Sequence, residues 1–196
     1  LANNYPAQNF TKHIMSIILR TSTLYRHDKQ AYNQYIDSLE YLFGKCLNIE
    51  FEANAANTTD IGLLSFSITQ EILDIKFLDL LQRNGADINS TFEHQTPLYS
   101  ALTVNAKNID LIEYLLKCGA DPNKTSIVDG EECTALSLLI ETNMKSTNRT
   151  QLAELLMSYG AKLQVANVRP LWIAAKCMDS LELLHSLGYD FGETYN

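Results

Sequence analysis

The sequence is poor in the residues that mark disulfide-rich, disordered or membrane-spanning proteins. Its 196 residues include four cysteines, four prolines and eight glycines, and no apolar run approaches the ~20 residues of a membrane span. The cysteines lie far apart, at Cys46, Cys118, Cys133 and Cys177, without a C-x-x-C pair. We therefore expect free thiols in a reducing, cytoplasmic compartment and no membrane association. A hydrophobic content of 46% is sufficient for a substantial core.

Positive charge is scarce as well. Lys and Arg total 15 against 23 Asp and Glu, which gives a formal net charge of −8. Because nucleic-acid backbones are bound by clustered Lys and Arg, we expect no nucleic-acid partner. The charge fits a protein partner with a basic or mixed surface, and it also fits the simpler interpretation that it keeps the protein in solution.

Motifs of enzymatic chemistry are missing. The four histidines are scattered, at His13, His27, His94 and His185. None stands in a nucleophile motif, and the sequence has no glycine-rich phosphate loop and no H-E-x-x-H. A zinc site built from His94, Cys118 and Cys133 matches no zinc-ligand spacing. We expect no catalytic, cofactor-binding or metal-binding residue, and the scattered His and Cys are all that favours an autonomous hydrolase.

Two similar pentapeptides lie 34 residues apart. They are Gly85–Asn89, which reads Gly-Ala-Asp-Ile-Asn, and Gly119–Asn123, which reads Gly-Ala-Asp-Pro-Asn. The separation from residue 85 to residue 119 is a repeat period and not a catalytic spacing. A chain built from copies of one small unit usually works by presenting a surface.

A second recurring string opens each unit. Thr96-Pro97-Leu98 begins one unit, and weaker versions begin at Gly62, Thr134 and Arg169. Thr caps a helix N-terminus, and Pro at the next position fits the first helical turn. Each opener leads into a helix, a polar turn and a second amphipathic helix that ends at a glycine, where a left-handed backbone costs least. The second helices are predicted over Leu73–Arg83, Ile109–Cys118, Gln151–Tyr159 and Ser180–Leu187.

This pairing of two antiparallel helices with a returning loop resembles the ankyrin repeat, whose signature is T-P-L-H-x-A with a period of ~33 residues. The resemblance covers about residues 60–192. It implies an all-α fold, a solenoid of stacked helix-turn-helix units with short loop or hairpin tips. The units it implies are a degenerate first repeat or N-terminal helical cap at 1–58 and divergent repeats at 59–90, 91–124, 125–165 and 166–196. Two helices are predicted in the first segment, over Thr11–Thr21 and Ala31–Phe43.

The units depart from the signature. Its histidine, which links neighbouring units by hydrogen bonds, is replaced by Ser65, Tyr99, Ser137 and Trp172, the last of which is predicted to pack in the core. The interval between closing glycines grows to 41 residues before Gly160, with extra residues at Asn143–Thr150, and falls to 28 before Gly188. We expect a stack that is less regular and less stable than a consensus array.

The resemblance implies a non-enzymatic, monomeric protein-interaction module that binds its partner through loop tips and the exposed side of the first helices. On this sequence the implied binding residues are Phe92, Glu93, His94 and Gln95 on one tip, Asp129, Glu131 and Glu132 on the next, and Thr103, Glu141 and Lys176 on the helices. The run from Asp129 to Glu132 lacks the alternating ligands of a calcium loop and predicts a solvated loop.

Two features of these residues carry the binding hypothesis. Phe92 is an aromatic on an otherwise polar tip, so it fits an interface anchor, although it would fit equally well packed against a neighbouring tip. Asp129, Glu131, Glu132 and Glu141 would form an acidic patch that speeds association with a basic partner.

Asn89 and Asn123 resemble the ankyrin asparagines that eukaryotic oxygenases hydroxylate, since each follows a Leu by eight residues and an Asp by two. The structural alternative is that their side chains hold the closing turn.

The composition, with Asn, Thr, Ser, Ile and Lys each more frequent than Gly, is similar to that of ankyrin-repeat effectors of intracellular bacteria. This similarity implies a module that engages a host protein in the host cytoplasm. The alternative is a regulatory or substrate-recruiting domain of a larger enzyme, which the start at Leu1 without an initiator Met favours.

Overall fold

The computed structural model describes residues 7–46, 62–141, 146–163 and 178–190. Its elements in chain order are α1 (Ala7–His27), α2 (Lys29–Cys46), α3 (Leu63–Thr69), α4 (Ile75–Arg83), α5 (Pro97–Asn105), α6 (Ile109–Lys117), β1 (Ser126–Val128), β2 (Glu131–Cys133), α7 (Ala135–Glu141), α8 (Ser146–Ser158) and α9 (Met178–Ser186). The two strands form an antiparallel hairpin with Ile127 opposite Glu132. Helices dominate these segments, which confirms the helical class predicted from the sequence. No helix in them is long and apolar enough to cross a membrane.

The predicted openers begin helices by the expected capping bonds. Thr96 Oγ1 accepts a hydrogen bond from the backbone N–H of Tyr99 at 3.2 Å, and Pro97 occupies the first helical turn. Thr134 Oγ1 accepts one from the N–H of Ser137 at 3.1 Å. These bonds satisfy N–H groups that the start of a helix leaves without a partner. The openers at Thr96 and Thr134 are therefore confirmed as helix starts.

The predicted closing glycines have left-handed backbones. Gly85, Gly119, Gly160 and Gly188 have φ between +81° and +95°. At the first of them the N–H of Ala86 donates to the carbonyl of Leu81 at 3.1 Å, and the same bond recurs after the other three glycines. This pattern ends a helix by satisfying carbonyls of its last turn. Closure of the second helices at these four glycines is confirmed, and the helices themselves end at Arg83, Lys117, Ser158 and Ser186, within one residue of the predicted ends.

Successive helix pairs pack side by side. Helix α3 contacts α5, α5 contacts α7, and α7 contacts α9, while α4, α6 and α8 each pack against the first helix of their own pair. The buried apolar side chains of these helices form one core that continues from pair to pair. Because each pair buries its apolar side against the next, the core is built by neighbouring units and not by a single layer.

The N-terminal helices are longer than predicted and dock onto the next pair. Tyr32 Oη on α2 donates to Asp74 Oδ2, the N-cap of α4, at 2.7 Å. Ser22 Oγ on α1 donates to the carbonyl of Gln70, just after α3, at 2.8 Å. Tyr32 is almost fully buried, so this polar contact is shielded from water. The contacts tie residues 13–42 to the helix pairs that follow.

The residues predicted as extra material between two units are partly helical. Helix α8 begins at Ser146, five residues before the predicted start at Gln151. The sequence of this segment is polar and includes Arg149. In the structure, however, Arg149 is only 2% exposed. Its Nη1 donates to Ser180 Oγ at 3.2 Å, and that hydroxyl donates to the carbonyl of Ile140 at 2.7 Å. Arg149 thus connects α8 to α9, which the hydrophobic pattern could not show.

Candidate functional site

The first loop tip is a two-residue β-turn. Phe92 and Gln95 exchange both backbone hydrogen bonds, at 3.0 and 2.9 Å, and the residues between them have positive φ, +49° at Glu93 and +65° at His94. Two central residues of positive φ form the turn that joins tightly paired strands. Glu93 and His94 are exposed at its apex, and Gln95 is half-buried.

The second tip is the β1–β2 hairpin. Its turn is Asp129-Gly130, with φ of +52° and +81°. Glu131 at the start of β2 is exposed and Glu132 is half-buried. The segment from Asp129 to Glu132 is therefore solvent-exposed over its first three residues, as predicted, and it has the form of a hairpin turn, which Asp-Gly between residues that extend easily favours. That dipeptide was the available signal.

The two tips are joined by hydrogen bonds into one surface. The N–H of Ile127 on β1 donates to the carbonyl of His94 at 3.0 Å. Ser126 Oγ accepts a bond from the N–H of Thr96 at 3.0 Å, inside the protein. Strand β1 therefore bonds to β2 on one side and to the preceding tip on the other. We call residues 92–95 and 126–133 the tip surface.

Phe92 is packed against the core. Its ring centroid lies 4.8 Å from that of Phe66 on α3, tilted by 58°, and the residue is half-buried. Phe92 thus packs on helix α3 and not on the neighbouring tip that the alternative named. The exposed large apolar side chain of the tip surface is Ile127, which is 44% exposed. Sequence reasoning missed Ile127, although its place between a buried Ser126 and the Asp-Gly turn fits an outward-facing strand residue.

Part of the predicted acidic patch lies around Tyr99. Burial, together with the neighbouring Cys133, Glu141 and Asp129, raises the pKa of the Tyr99 hydroxyl to about 12. Asp129 and Glu141 therefore act on the same hydroxyl, although they belong to a loop tip and to the end of α7. Asp129 is exposed and Glu141 is half-buried.

Of the predicted helix positions, Thr103 is exposed on α5, where its hydroxyl donates to the carbonyl of Ser100 at 2.9 Å. Val104 beside it is 37% exposed. Lys176, Trp172 and the opener at Arg169 lie outside the described residues. The structure thus places the first-helix positions that it describes at or near the surface.

One residue that replaces the signature histidine links neighbouring units. Ser65 Oγ donates to the carbonyl of Gln95 at 2.8 Å and lies 2.9 Å from Ser100 Oγ, both in the following unit. Ser137, by contrast, bonds within its own opener, where its Oγ accepts from the N–H of Thr134 and donates to its carbonyl, each at 2.9 Å. Serine supplies the link between units at one position and a helix cap at the other.

The closing asparagines bond to the unit that follows them. Asn89 Nδ2 donates to the carbonyl of Gly119 at 3.1 Å. The closing turn that contains each asparagine is held by the aspartate two residues before it. Asp87 Oδ1 accepts from the N–H of Asn89 at 2.9 Å, and Asp121 Oδ1 accepts from the N–H of Asn123 at 2.8 Å. The predicted structural role, in which the asparagine side chains hold a closing turn by hydrogen bonds, is therefore right in its chemistry. The turn that they hold is that of the following unit, which the sequence could not show.

Residues 93–127 match the family model of the ankyrin repeat. No curated protein matches the chain significantly. Within the segments that the structure describes, no group of three or more His, Cys, Asp or Glu side chains could hold a metal ion. The matched segment runs from the apex of the first tip through α5 and α6 into β1. The chain therefore contains an ankyrin repeat at residues 93–127.

Proposed function

We propose that this chain binds another protein through the tip surface. Ankyrin repeats are in general protein-interaction units without catalytic activity, and the matched repeat contributes residues 93–95, 126 and 127 of this surface. The observation that carries the proposal is the bond from the Ile127 N–H to the His94 carbonyl. It fixes two adjacent tips relative to each other, so a partner meets a preorganised surface and loses less free energy in ordering it.

The chemistry of the tip surface favours a partner that is both basic and apolar. Ile127 is an exposed apolar side chain, and Glu93, Asp129 and Glu131 are exposed carboxylates on the same two tips. Exposed charges of one sign mainly raise the rate of association, while an apolar side chain that becomes buried contributes affinity. We include Glu132, Glu141 and Thr103 in the proposed contact area, and Lys176 stays a predicted binding residue outside the described segments.

The proposal includes a monomeric ankyrin solenoid. Its units are those predicted from the sequence, with residues 1–58 as a degenerate repeat or cap and repeats at 59–90, 91–124, 125–165 and 166–196. Support comes from the order of helix contacts and from the asparagine bonds between consecutive closing turns. A cap over the first pair would cover the apolar side that stacking leaves open.

We further propose the role inferred from composition, an effector module that a bacterium delivers into the cytoplasm of a host cell, where it engages a host protein. The alternative role is a regulatory or substrate-recruiting domain of a larger enzyme. A full-length gene that encodes a catalytic region beside this segment supports the alternative, and a gene with a secretion signal supports the effector. Hydroxylation of Asn89 and Asn123 in a host remains part of this proposal, and a mass increase of about 16 Da would reveal it.

Affinity capture from host-cell cytosol tests the proposed surface. The bait carries Ile127→Thr and Glu131→Lys, which keep the strand character of β1 and β2. The matched control is Glu154→Lys, a charge reversal at an exposed position of α8 away from the tips. Proteins captured by the wild type and the control and lost with the tip variant support the proposal. Capture of the same proteins by the tip variant contradicts it.

A further inference from the structure

The exposed side of α1 is basic in a chain that is otherwise strongly acidic. Residues 1–27 hold three of the 15 Lys and Arg and none of the 23 Asp and Glu, so the remaining residues hold 12 against 23, a formal charge of −11. Ile14 and Ile18 on α1 are buried, whereas Arg20, Arg26 and His27 are exposed. Helix α1 is therefore amphipathic, and its solvent side has no carboxylate.

The cations of this side are positioned by uncharged groups. The Arg20 guanidinium lies 5.8 Å from the centre of the Tyr35 ring, and Arg26 Nη2 donates to the hydroxyl of Ser22. At the start of α2, Lys29 Nζ lies 5.5 Å from the centre of the Tyr25 ring. Ring faces hold cations in place without neutralising them.

None of these three cations forms an ion pair with a residue that the structure describes. Cations elsewhere do, in the pairs Lys76–Asp37, Arg83–Asp79 and Lys117–Glu113, at 2.7 to 2.8 Å. Among the described residues no carboxylate neutralises Arg20, Arg26 or Lys29, and the partial fixation of these cations lowers the entropy lost when they meet an anion.

Apolar side chains lie among these cations. Leu19 is 48% exposed and precedes Arg26 by seven residues, so both lie on one side of α1. Leu42 is 50% exposed and follows Tyr35 by seven residues, which places it on the side of α2 that faces Arg20. We call Leu19, Arg20, Arg26 and Leu42 the basic face.

A helix side that faces solvent is ordinarily polar, with charges of both signs and few large apolar side chains. The basic face instead has charge of one sign, no ion pair with a described residue, and two exposed leucines, Leu19 on α1 and Leu42 on α2. A large polyanion such as a membrane or a nucleic acid fits the basic face poorly. It extends over many Debye lengths, each of about 8 Å, so it also reaches the rest of the protein, whose formal charge of −11 repels it. A short segment covers the basic face alone.

We propose that the basic face binds an acidic polypeptide segment that also carries apolar side chains, such as an amphipathic helix of Glu and Leu. The carboxylates pair with Arg20 and Arg26, and the apolar side chains cover Leu19 and Leu42. This surface is separate from the tip surface, so it takes a different partner of opposite charge. A result that contradicts binding at the basic face therefore leaves the proposed binding at the tip surface unaffected, and the reverse also holds.

Fluorescence anisotropy with a synthetic peptide tests the inference. The probe is a labelled peptide of about 18 residues, with Leu at helical spacing i, i+3, i+4, i+7 and Glu elsewhere. The variant Arg20→Glu with Arg26→Glu is expected to lose at least about tenfold in affinity at about 50 mM salt. The matched control reverses two exposed cations of other units, Lys107→Glu with Lys124→Glu, and is expected to stay within about twofold of the wild type.

The neutral variant Arg20→Gln with Arg26→Gln guards against a folding artefact. It must lose affinity as well, while its thermal unfolding stays that of the wild type. The inference is overturned if the wild type does not bind the peptide or if the control pair loses as much affinity as the α1 pair. It is also overturned if phosphatidylserine vesicles or a DNA duplex bind through Arg20 and Arg26 while the peptide does not. Sedimentation velocity that shows self-association lost with the α1 pair would assign the face to a second copy instead.

Discussion

The side-chain oxygen of Asn89 accepts a hydrogen bond from the backbone N–H of Asp121 at 2.8 Å, across the boundary between two units. The same amide donates to the carbonyl of Gly119. Asn123 repeats the arrangement one unit later, accepting from the N–H of Lys162 at 2.7 Å and donating to the carbonyl of Gly160 at 2.9 Å. Three consecutive closing turns are thereby joined by two side-chain amides, one at each junction, and each amide uses both its N–H and its oxygen.

Replacing Asn89 by Ala is expected to destabilise the protein by about 1–3 kcal/mol. The change leaves the Asp121 N–H and the Gly119 carbonyl without their partner across the unit boundary. The midpoint of urea denaturation measures the loss, and amide hydrogen exchange at Asp121 is expected to accelerate because that N–H is released.

Asn89→Asp serves as the control for this prediction, since it keeps the acceptor for Asp121 and loses only the donor to Gly119. Its stability is expected to fall between those of the wild type and Asn89→Ala. Equal stability of all three proteins would show that the bonds between closing turns contribute nothing.

Gly62→Ala is expected to destabilise the protein more than Gly130→Ala. A Cβ at Gly62 would lie 2.6 Å from the carbonyl oxygen of Ser90 and 2.6 Å from the carbonyl carbon of Thr91, although the φ of Gly62 is an ordinary −55°. Gly130 has φ of +81° and open space around it, so Ala there costs only about 1 kcal/mol of backbone strain. The thermal unfolding temperatures of the two variants compare the steric cost at Gly62 with the conformational cost at Gly130. A larger destabilisation by Gly130→Ala than by Gly62→Ala would contradict the close approach at Gly62.

Tyr99 is expected to make stability fall above pH 10. Burial raises the pKa of its hydroxyl from 10.0 to about 12, so the unfolded chain loses this proton first as the pH rises. The contribution is complete below pH 10 and disappears between pH 10 and about 12, with a slope of at most ~1.4 kcal/mol per pH unit. Urea denaturation at pH 9 to 11, in steps of about one pH unit, is expected to show a shallower fall in the free energy of unfolding for Tyr99→Phe than for the wild type. Identical slopes would mean that Tyr99 ionises normally.

Phe92→Ala is expected to destabilise the folded protein by about 2 kcal/mol, because it removes the ring that packs on Phe66. Ile127→Thr is expected to leave stability nearly unchanged, since Ile127 is exposed and Thr retains β-branching. Differential scanning calorimetry of both variants separates the roles. A stable Phe92→Ala protein that fails to bind its partner would restore Phe92 as an interface anchor.

Features that depend on neighbours in sequence could be predicted. The Thr96 cap, Pro97 in the first turn and Gly119 at the end of α6 follow from the chemistry of one or two adjacent residues. The positions of these openers and closing glycines also predicted where the loop tips lie. The Asp129-Gly130 turn belongs to the same local class, and its dipeptide carried enough information to predict a hairpin.

Features that depend on contacts across units could not be predicted. Whether Phe92 faces water or Phe66 depends on where α3 lies, and the target of the Asn89 amide depends on how the next turn is placed. Arg149 reads as a surface residue until Ser180 is placed beside it. Long-range packing decides these positions, and no local pattern in the sequence records it.

The association rate of an identified partner, measured by interferometry as a function of salt, tests the tip surface most directly. Glu131→Lys with Glu132→Lys is expected to slow association by about tenfold at low salt and to weaken its salt dependence, because the surface then repels a basic partner. Glu154→Lys is expected to leave the rate within about twofold. An association rate that Glu131→Lys with Glu132→Lys leaves unchanged would contradict binding at the tip surface.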